Sequence, residues 1–246
     1  MIAMLGMYDR PETAAANDRL WTAIRGHLGY GPPHLTRDRD FWEIWQAPNL
    51  LFAQTCGMPY RTRLKSQVQL IGTPDYGLPD CPAGHYFSVF VAHVDVPQPA
   101  LSELCKTGTF AYNEPLSQSG WAAPITHLAQ IGLAPLKRLQ TGAHYLSARA
   151  VAEKQADFAA LDALTWELIR RYDGFAKTLQ VVARTAPTPT LPYITGPTQN
   201  LAEIREALGR AIEGLSASDR ATLGLQRLVQ IPASAYLAVP TPPPPQ

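Results

Sequence analysis

Residues 109–121 read TFAYNEPLSQSGW, and this stretch indicates how the chain folds. Its first four residues favour a strand, and a helix is predicted to begin near Ser119. A strand that leads directly into a helix is the repeating unit of α/β proteins. The stretch therefore predicts an α/β fold with two hydroxyl side chains, Ser117 and Ser119, at the start of a helix.

The same alternation of short apolar runs and amphipathic stretches extends along the chain in both directions. It predicts strands at residues 2–7, 50–53, 68–72, 86–92, 109–112, 136–141, 158–161 and 179–184. It predicts helices between them, among others at residues 144–154, 163–172 and 201–215. The rhythm restarts near residue 100. We therefore expect two lobes, each a mostly parallel sheet flanked by helices, with a ligand cleft between them.

A Pro/Thr-rich run at residues 185–192 predicts where the chain returns to the first lobe. Each proline fixes its own φ and favours an extended residue before it, so the run is a stiff connection. The predicted first lobe combines residues 1–91 with residues 189–246, and the second lobe is residues 92–188. Residues 240–246 are mostly proline and predict a tail that is disordered or polyproline-like.

Composition and motifs exclude several classes of function. A formal net charge of +1 offers no general attraction for nucleic acid, and no stretch approaches the roughly 20 apolar residues of a membrane span. No H-E-x-x-H motif and no G-x-G-x-x-G after a strand occurs, so we expect neither a metal nor another cofactor. Cys56, Cys81 and Cys105 are too far apart for a metal knuckle. Whether any two of them pair stays open.

The helix start at Ser117, Gln118 and Ser119 is the strongest candidate for a binding site. Hydroxyl groups, backbone N–H groups and the positive end of a helix can all point at one anion there. The alternative is an ordinary serine N-cap. His144 opens the helix after another predicted strand, where it either points into the same crevice as the serines or is a structural histidine, the commoner role of a lone histidine. Asp162 follows the strand at residues 158–161, where it either caps the next helix or accepts hydrogen bonds from a ligand.

The first lobe contributes aromatic and neutral polar residues near strand ends. Tyr8, Gln54, Thr55 and Tyr76 suit the walls of a pocket for a small ligand, although aromatic residues at such positions are equally often core. No nucleophile has a base at local spacing and no second titratable residue pairs with His144. The residues therefore predict a binding protein with no catalytic residues.

Residues 7–9, 54–57, 117–120 and 142–144 together resemble the phosphate/phosphite/phosphonate-type substrate-binding proteins of ABC transporters, over about residues 2–236. The resemblance implies a two-lobed type II periplasmic-binding-protein fold in which the serine-bearing helix start grips phosphonate oxygens. It puts Tyr8 on an early site tyrosine and His144 on the family's glycine-x-histidine position. It puts Asp162 near a carboxylate that meets the ligand's amino group.

The expected function is capture of a small phosphate- or phosphonate-like oxyanion for an ABC transporter, with a permease as partner. The alternatives are a cytoplasmic enzyme with His144 as general base and a ligand sensor on the same fold. The resemblance implies a periplasmic location. Residues 1–9 lack a basic region and predict a first strand instead of a signal peptide, which leaves a cytoplasmic location open.

Overall fold

The computed structural model describes residues 1–96 and 100–245 and divides into two compact units. The first unit is Met1–His85 with Pro189–Ala238, and the second is Tyr86–Thr188 with Val239–Gln246. The strands are β1 (Ile2–Met4), β2 (Leu50–Gln54), β3 (Gln69–Asp75), β4 (His85–Tyr86), β5 (Ser88–His93), β6 (Thr109–Tyr112), β7 (Lys137–Gln140), β8 (Phe158–Asp162), β9 (Leu179–Arg184), β10 (Thr188–Pro189), β11 (Tyr193–Thr195) and β12 (Arg227–Val229).

The α-helices are α1 (Pro11–Leu28), α2 (Phe41–Trp45), α3 (Gly57–Pro59), α4 (Leu101–Thr107), α5 (Ala123–Gln130), α6 (His144–Ala152), α7 (Ala163–Tyr172), α8 (Leu201–Glu213), α9 (Ala217–Leu223) and α10 (Ala233–Leu237). Short 3-10 turns lie at Gly6–Tyr8 and Gly174–Thr178, and π-helical turns at Tyr60–Leu64 and Gln118–Ala122. No helix of the described residues is long and apolar enough to cross a bilayer.

The first unit is built on a sheet of order β1-β2-β11-β3-β12. Pro11 starts α1 and Gly29 ends it with φ at 77°, a backbone conformation that glycine adopts without strain. Trp21 of this helix stacks on Phe52 of β2 at 5.9 Å between ring centroids, and Phe52 stacks on Tyr193 at 5.3 Å. This aromatic stack joins α1 to β2 and β11; Gln54 and Thr55 lie at the end of β2, Tyr8 in the 3-10 turn after β1, and Tyr76 directly after β3.

The second unit has a sheet of order β7-β6-β8-β5-β9. β6 lies between β7 and β8 and is parallel to both. Its Phe110 packs on Phe158 of β8 at 5.1 Å between ring centroids, in a core with Phe90 of β5. The parallel pairing brings the carboxyl ends of β6 and β7 to the same edge of the sheet. The helical segments that carry the serines and His144 begin at this edge.

The two-unit α/β class is confirmed, but the sheets are mixed and not mostly parallel. In each sheet one strand is inserted antiparallel between two others: β11 lies between β2 and β3, and β5 lies between β8 and β9. The two strands on either side of the insertion are connected to each other by a helical segment. Each inserted strand follows a point where the chain passes from one unit to the other. A strand needs a crossover connection, usually a helix, to pair parallel with its neighbour. β5 and β11 enter their sheets from the other unit without such a connection, so they pair antiparallel.

The first of the two crossings between the units differs from the predicted lobe boundary, and the second lies at the same residues. The chain passes between units at His85–Tyr86, so the predicted boundary after residue 91 falls inside β5, a strand of the second unit. The return lies at Thr188–Pro189, where β10 pairs with β4. Residues 239–245 group with the second unit and not with the first lobe, and Pro243 accepts a hydrogen bond from Trp121 of that unit.

Candidate functional site

The serine-bearing helix start follows β6 after a short connection of residues 113–116. Ser117 has extended backbone angles, φ −85° and ψ 129°, and its Oγ accepts a hydrogen bond from the N–H of Gly120 at 2.9 Å. The π-helical turn Gln118–Ala122 begins there and continues into α5. Ser117 and Ser119 are 3% exposed, and Gln118 is 2% exposed. Ser117 is thus an N-cap residue, which does not prevent its O–H from donating to a further group.

His144 joins this helix start from the neighbouring strand. Its Nε2 lies 2.8 Å from Ser119 Oγ, in a hydrogen bond between residues that are 25 positions apart. The N–H of Thr141 donates to the carbonyl of Tyr112 at 2.9 Å, and the N–H of Gly142 donates to the carbonyl of Asn113 at 2.8 Å. These bonds hold the chain after β7 against the chain after β6. The structure therefore brings Ser117, Ser119 and His144 together.

Asn113 and Gly120 belong to the same cluster, although neither was among the predicted site residues. A Cβ on Gly120 would overlap Asn113 Oδ1 and would lie 3.2 Å from His144 Cε1. Only glycine lets these two side chains approach the helix start so closely. Asn113 is 9% exposed, and its Oδ1 has no hydrogen-bond partner among the described residues. In the sequence, the position of Asn113 directly after a predicted strand could have identified it as a candidate site residue.

The environment of His144 keeps its imidazole neutral near pH 7. Burial lowers the pKa of His144 from 6.5 to about 4, and an interaction with the backbone of Ala160 opposes this change. A serine bonded to a histidine is also the geometry of an activated nucleophile. A general base works best with a pKa near the operating pH, and in the described part of the chain no carboxylate is bonded to His144. The pair is therefore better suited to hydrogen bonding than to catalysis.

The lowered pKa predicts how stability depends on pH. The unfolded chain takes up the His144 proton near pH 6.5, whereas the folded chain takes it up only near pH 4. The contribution of His144 to stability is therefore complete above about pH 6.5 and is lost as the pH falls towards about 4. As the pH falls through this window, we expect the free energy of unfolding of His144→Asn to decrease less steeply than that of the unmodified chain. The two slopes should differ by at most about 1.4 kcal/mol per pH unit.

Urea unfolding of both chains between pH 7 and pH 4 measures this difference. His34→Asn, at an exposed histidine, is the control and should retain the steeper dependence of the unmodified chain. If His144→Asn follows the same pH curve as the unmodified chain, then burial does not hold His144 neutral.

Asp162 is placed as a helix cap. It is the last residue of β8 and 2% exposed, and its Oδ1 accepts hydrogen bonds from the N–H of Leu164 at 2.8 Å and of Thr165 at 3.0 Å. A carboxylate at the first turn of α7 also has a favourable interaction with the helix dipole. Of the two roles that the sequence left open, the observed hydrogen bonds support the cap.

The first-unit candidates Tyr8, Gln54 and Tyr76 form a second cluster. Gln54 Nε2 donates to the hydroxyl of Tyr76 at 3.0 Å and to the carbonyl of Leu191 at 3.1 Å, and the ring of Tyr8 meets the ring of Tyr76 edge-on at 5.5 Å. The hydroxyl of Tyr76 also bonds Tyr193, whose own pKa burial raises. A cavity of about 20 Å³ lies among them, enough for about one water molecule.

Thr55 lies beside this cluster and is fully buried. Its N–H donates to the carbonyl of Pro192 at 3.0 Å, and its hydroxyl oxygen has no hydrogen-bond partner among residues 1–96 and 100–245. The candidate residues of the two units therefore form two separate groups, one within each unit. That both groups face one ligand stays a prediction.

A family model described as ABC transporter, phosphonate, periplasmic substrate-binding protein matches residues 50–234. Among solved structures, PhnD1 from Prochlorococcus marinus in complex with methylphosphonate is 14% identical, with a TM-score of 0.77 over 96% of this chain and 94% of that one. A binding-protein component of an ABC phosphonate transporter from Pseudomonas aeruginosa is 18% identical, with a TM-score of 0.71 over 93% and 81%.

A third structure, XAC2383 from Xanthomonas citri bound to ATP, is 17% identical, with a TM-score of 0.67 over 95% of this chain and 92% of that one. No curated protein matches the chain by sequence. At these identities the solved structures establish the fold, while the ligand has to be argued from the site.

Proposed function

Because the chain belongs to the phosphonate-type periplasmic substrate-binding proteins of ABC transporters, we propose that it captures a small phosphorus oxyanion at the helix start of residues 117–120. Members of this family are transport proteins and not enzymes; they bind a small ligand and work with a transporter permease. The proposal gives this chain a permease partner and a periplasmic location. The hydrogen bond between Ser119 and His144, at a helix start that Ser117 caps through the N–H of Gly120, is the observation that carries it.

The chemistry of this group suits an oxyanion. The first N–H groups of a helix lack partners within the helix, and the helix dipole places partial positive charge there. The Ser117 hydroxyl can add a donor to the same point; when the one N–H of the neutral imidazole is on Nε2, it donates to Ser119 Oγ and leaves the Ser119 O–H to donate as well. The residues named here carry no formal charge at pH 7, so recognition relies on oriented dipoles. Binding by dipoles is screened by salt less than binding by an exposed cation.

The role of Asp162 bears on which phosphorus oxyanion is bound. The resemblance had put this carboxylate near the group that meets an amino group on the ligand. Because Asp162 caps α7 through Leu164 and Thr165, we infer that an amino group on the ligand contributes little to affinity here. Phosphate, phosphite and simple alkylphosphonates are therefore the favoured ligands.

Calorimetric titration of the full chain tests both statements. The ligands are phosphate, phosphite, methylphosphonate, 2-aminoethylphosphonate and sulfate, each first screened by thermal shift, because a ligand at about 100 times its Kd stabilises by about 2.7 kcal/mol. We expect one of the first three to bind, and 2-aminoethylphosphonate to gain less than tenfold over methylphosphonate. A chain that binds only the amino-bearing ligand would contradict the role given to Asp162. A chain that binds none of the phosphorus ligands would contradict the function.

A pair of buried threonines tests whether the first unit takes part in binding. The side chains of Thr55 and Thr190 are fully buried, and in the described residues neither hydroxyl oxygen has a partner. Valine keeps the shape and removes an unpaired polar group, so Thr55→Val and Thr190→Val should each raise the free energy of unfolding by about 1 kcal/mol.

The two variants should differ in affinity. Thr55 is a candidate ligand residue and Thr190 is its control, so Thr55→Val alone should weaken oxyanion binding. Urea unfolding and calorimetry on both variants measure the two effects. Equal affinities in the two variants would remove Thr55 from the site, and a loss of stability in both would show that each hydroxyl has a buried partner.

A further inference from the structure

The proline-rich end of the chain lies against the second unit. The chain leaves the first unit at Ala238, and residues 239–245 read VPTPPPP. Each proline fixes φ near −65° and biases the residue before it to an extended conformation. A run of this kind adopts the polyproline II helix, which has three residues per turn and no internal hydrogen bonds.

The burial of this segment repeats every three residues. Val239, Pro242 and Pro245 are half-buried, whereas residues 240, 241, 243 and 244 are exposed. In a polyproline II helix, positions three apart lie on the same face. Of the three faces of such a helix, the segment therefore turns one continuous face to the protein and two to solvent. A freely moving tail would show no such periodic burial.

Trp121 supplies the contact that fixes this register. Its indole Nε1 donates a hydrogen bond to the carbonyl of Pro243 at 2.9 Å, and its side chain is only 3% exposed. Its ring packs on Tyr112 at 4.9 Å between centroids, and the guanidinium of Arg138 lies 5.8 Å from the ring centroid. A proline run offers carbonyl acceptors and no N–H donors. An aromatic surface with an outward N–H is therefore its natural partner.

We propose that Tyr112, Trp121 and Arg138 form a polyproline-binding surface whose occupant is the chain's own segment 239–245. The three-residue burial period and the Trp121–Pro243 hydrogen bond support it independently of each other. The surface adjoins Gly120, so the bound segment also anchors the first turn of the helical segment that carries Ser117 and Ser119. The proposal does not depend on which ligand the chain binds.

The burial period provides two matched variants of the full chain. Pro242→Ala with Pro245→Ala removes two rings from the buried face, and Pro243→Ala with Pro244→Ala removes two rings from the exposed faces. Both lose the same number of prolines, and both keep the carbonyl of residue 243. Exchange of the Trp121 indole N–H, read by ¹⁵N NMR, reports the contact, and Trp121→Phe identifies its signal among the five tryptophans.

We expect the buried-face pair to lower the protection of the Trp121 indole N–H at least tenfold, and the exposed-face pair to change it less than threefold. Circular dichroism should show the same fold in both. Equal protection in the two variants, whether lowered or retained, would overturn the proposal. It would mean that the tail does not bind through one polyproline face.

Discussion

Alanine at both Ser117 and Ser119 is expected to weaken oxyanion binding at least tenfold. Ser117 uses its oxygen to accept from Gly120 N–H and keeps its own proton to donate, while Ser119 is held by His144. A hydrogen bond to a charged group contributes about 1.5–3 kcal/mol, and about 1.4 kcal/mol corresponds to a factor of ten in affinity. Calorimetry with whichever phosphorus oxyanion binds the unmodified chain measures the loss.

A second serine cap in the same chain provides the control. Ser216 Oγ accepts from the N–H of Asp219 at 3.0 Å, the same three-residue spacing as the bond between Ser117 and Gly120 at 2.9 Å. Ser216→Ala should cost about 1 kcal/mol of stability and leave affinity unchanged. If the Ser117/Ser119 double variant behaves in the same way, both serines are structural and the oxyanion proposal loses its main support.

Gly120→Ala is expected to cost about 1–3 kcal/mol of stability and to reduce binding in the same step. The added methyl group would overlap Asn113 Oδ1, and Asn113 is too buried to move into solvent. Overpacking of this kind forces neighbouring side chains out of their preferred rotamers or shifts the backbone. The displaced groups would be Asn113 and His144, so the geometry around Ser119 should change with them. Urea unfolding and calorimetry measure the two effects.

A double-variant cycle identifies the cause. Asn113→Ala removes the overlapping oxygen, so Asn113→Ala with Gly120→Ala should be more stable than the sum of the single changes predicts. Gly209→Ala is the control, because that glycine lies inside α8, where the added methyl group would have no atom within 4 Å apart from its chain neighbours and the backbone of its own helix. Alanine should there raise stability by about 0.5–1 kcal/mol. A stable Gly120→Ala variant with normal affinity would show that the cluster is not tightly packed.

Local sequence signals predicted the elements that carry the site. The helix at Ala163–Tyr172 has the predicted bounds, and Ser117 caps the predicted helix start. The predicted first strand ends early, at Met4, because Gly6–Tyr8 forms a 3-10 turn. β11 was not predicted, since three residues after a proline-rich run carry too little periodicity to indicate a strand.

The α/β class, the family resemblance and the presence of serines and a histidine at helix starts can all be read from the sequence. These depend on periodicity, capping and motif spacing, which act over a few residues. The folded structure was needed to establish the insertion of β5 and β11 and the bond between Ser119 and His144. It also decided the cap role of Asp162 and the docking of residues 239–245 on Trp121. Each of these except the cap joins residues far apart in the chain, and the cap depends on how β8 leads into α7. No local pattern encodes which distant groups burial brings together.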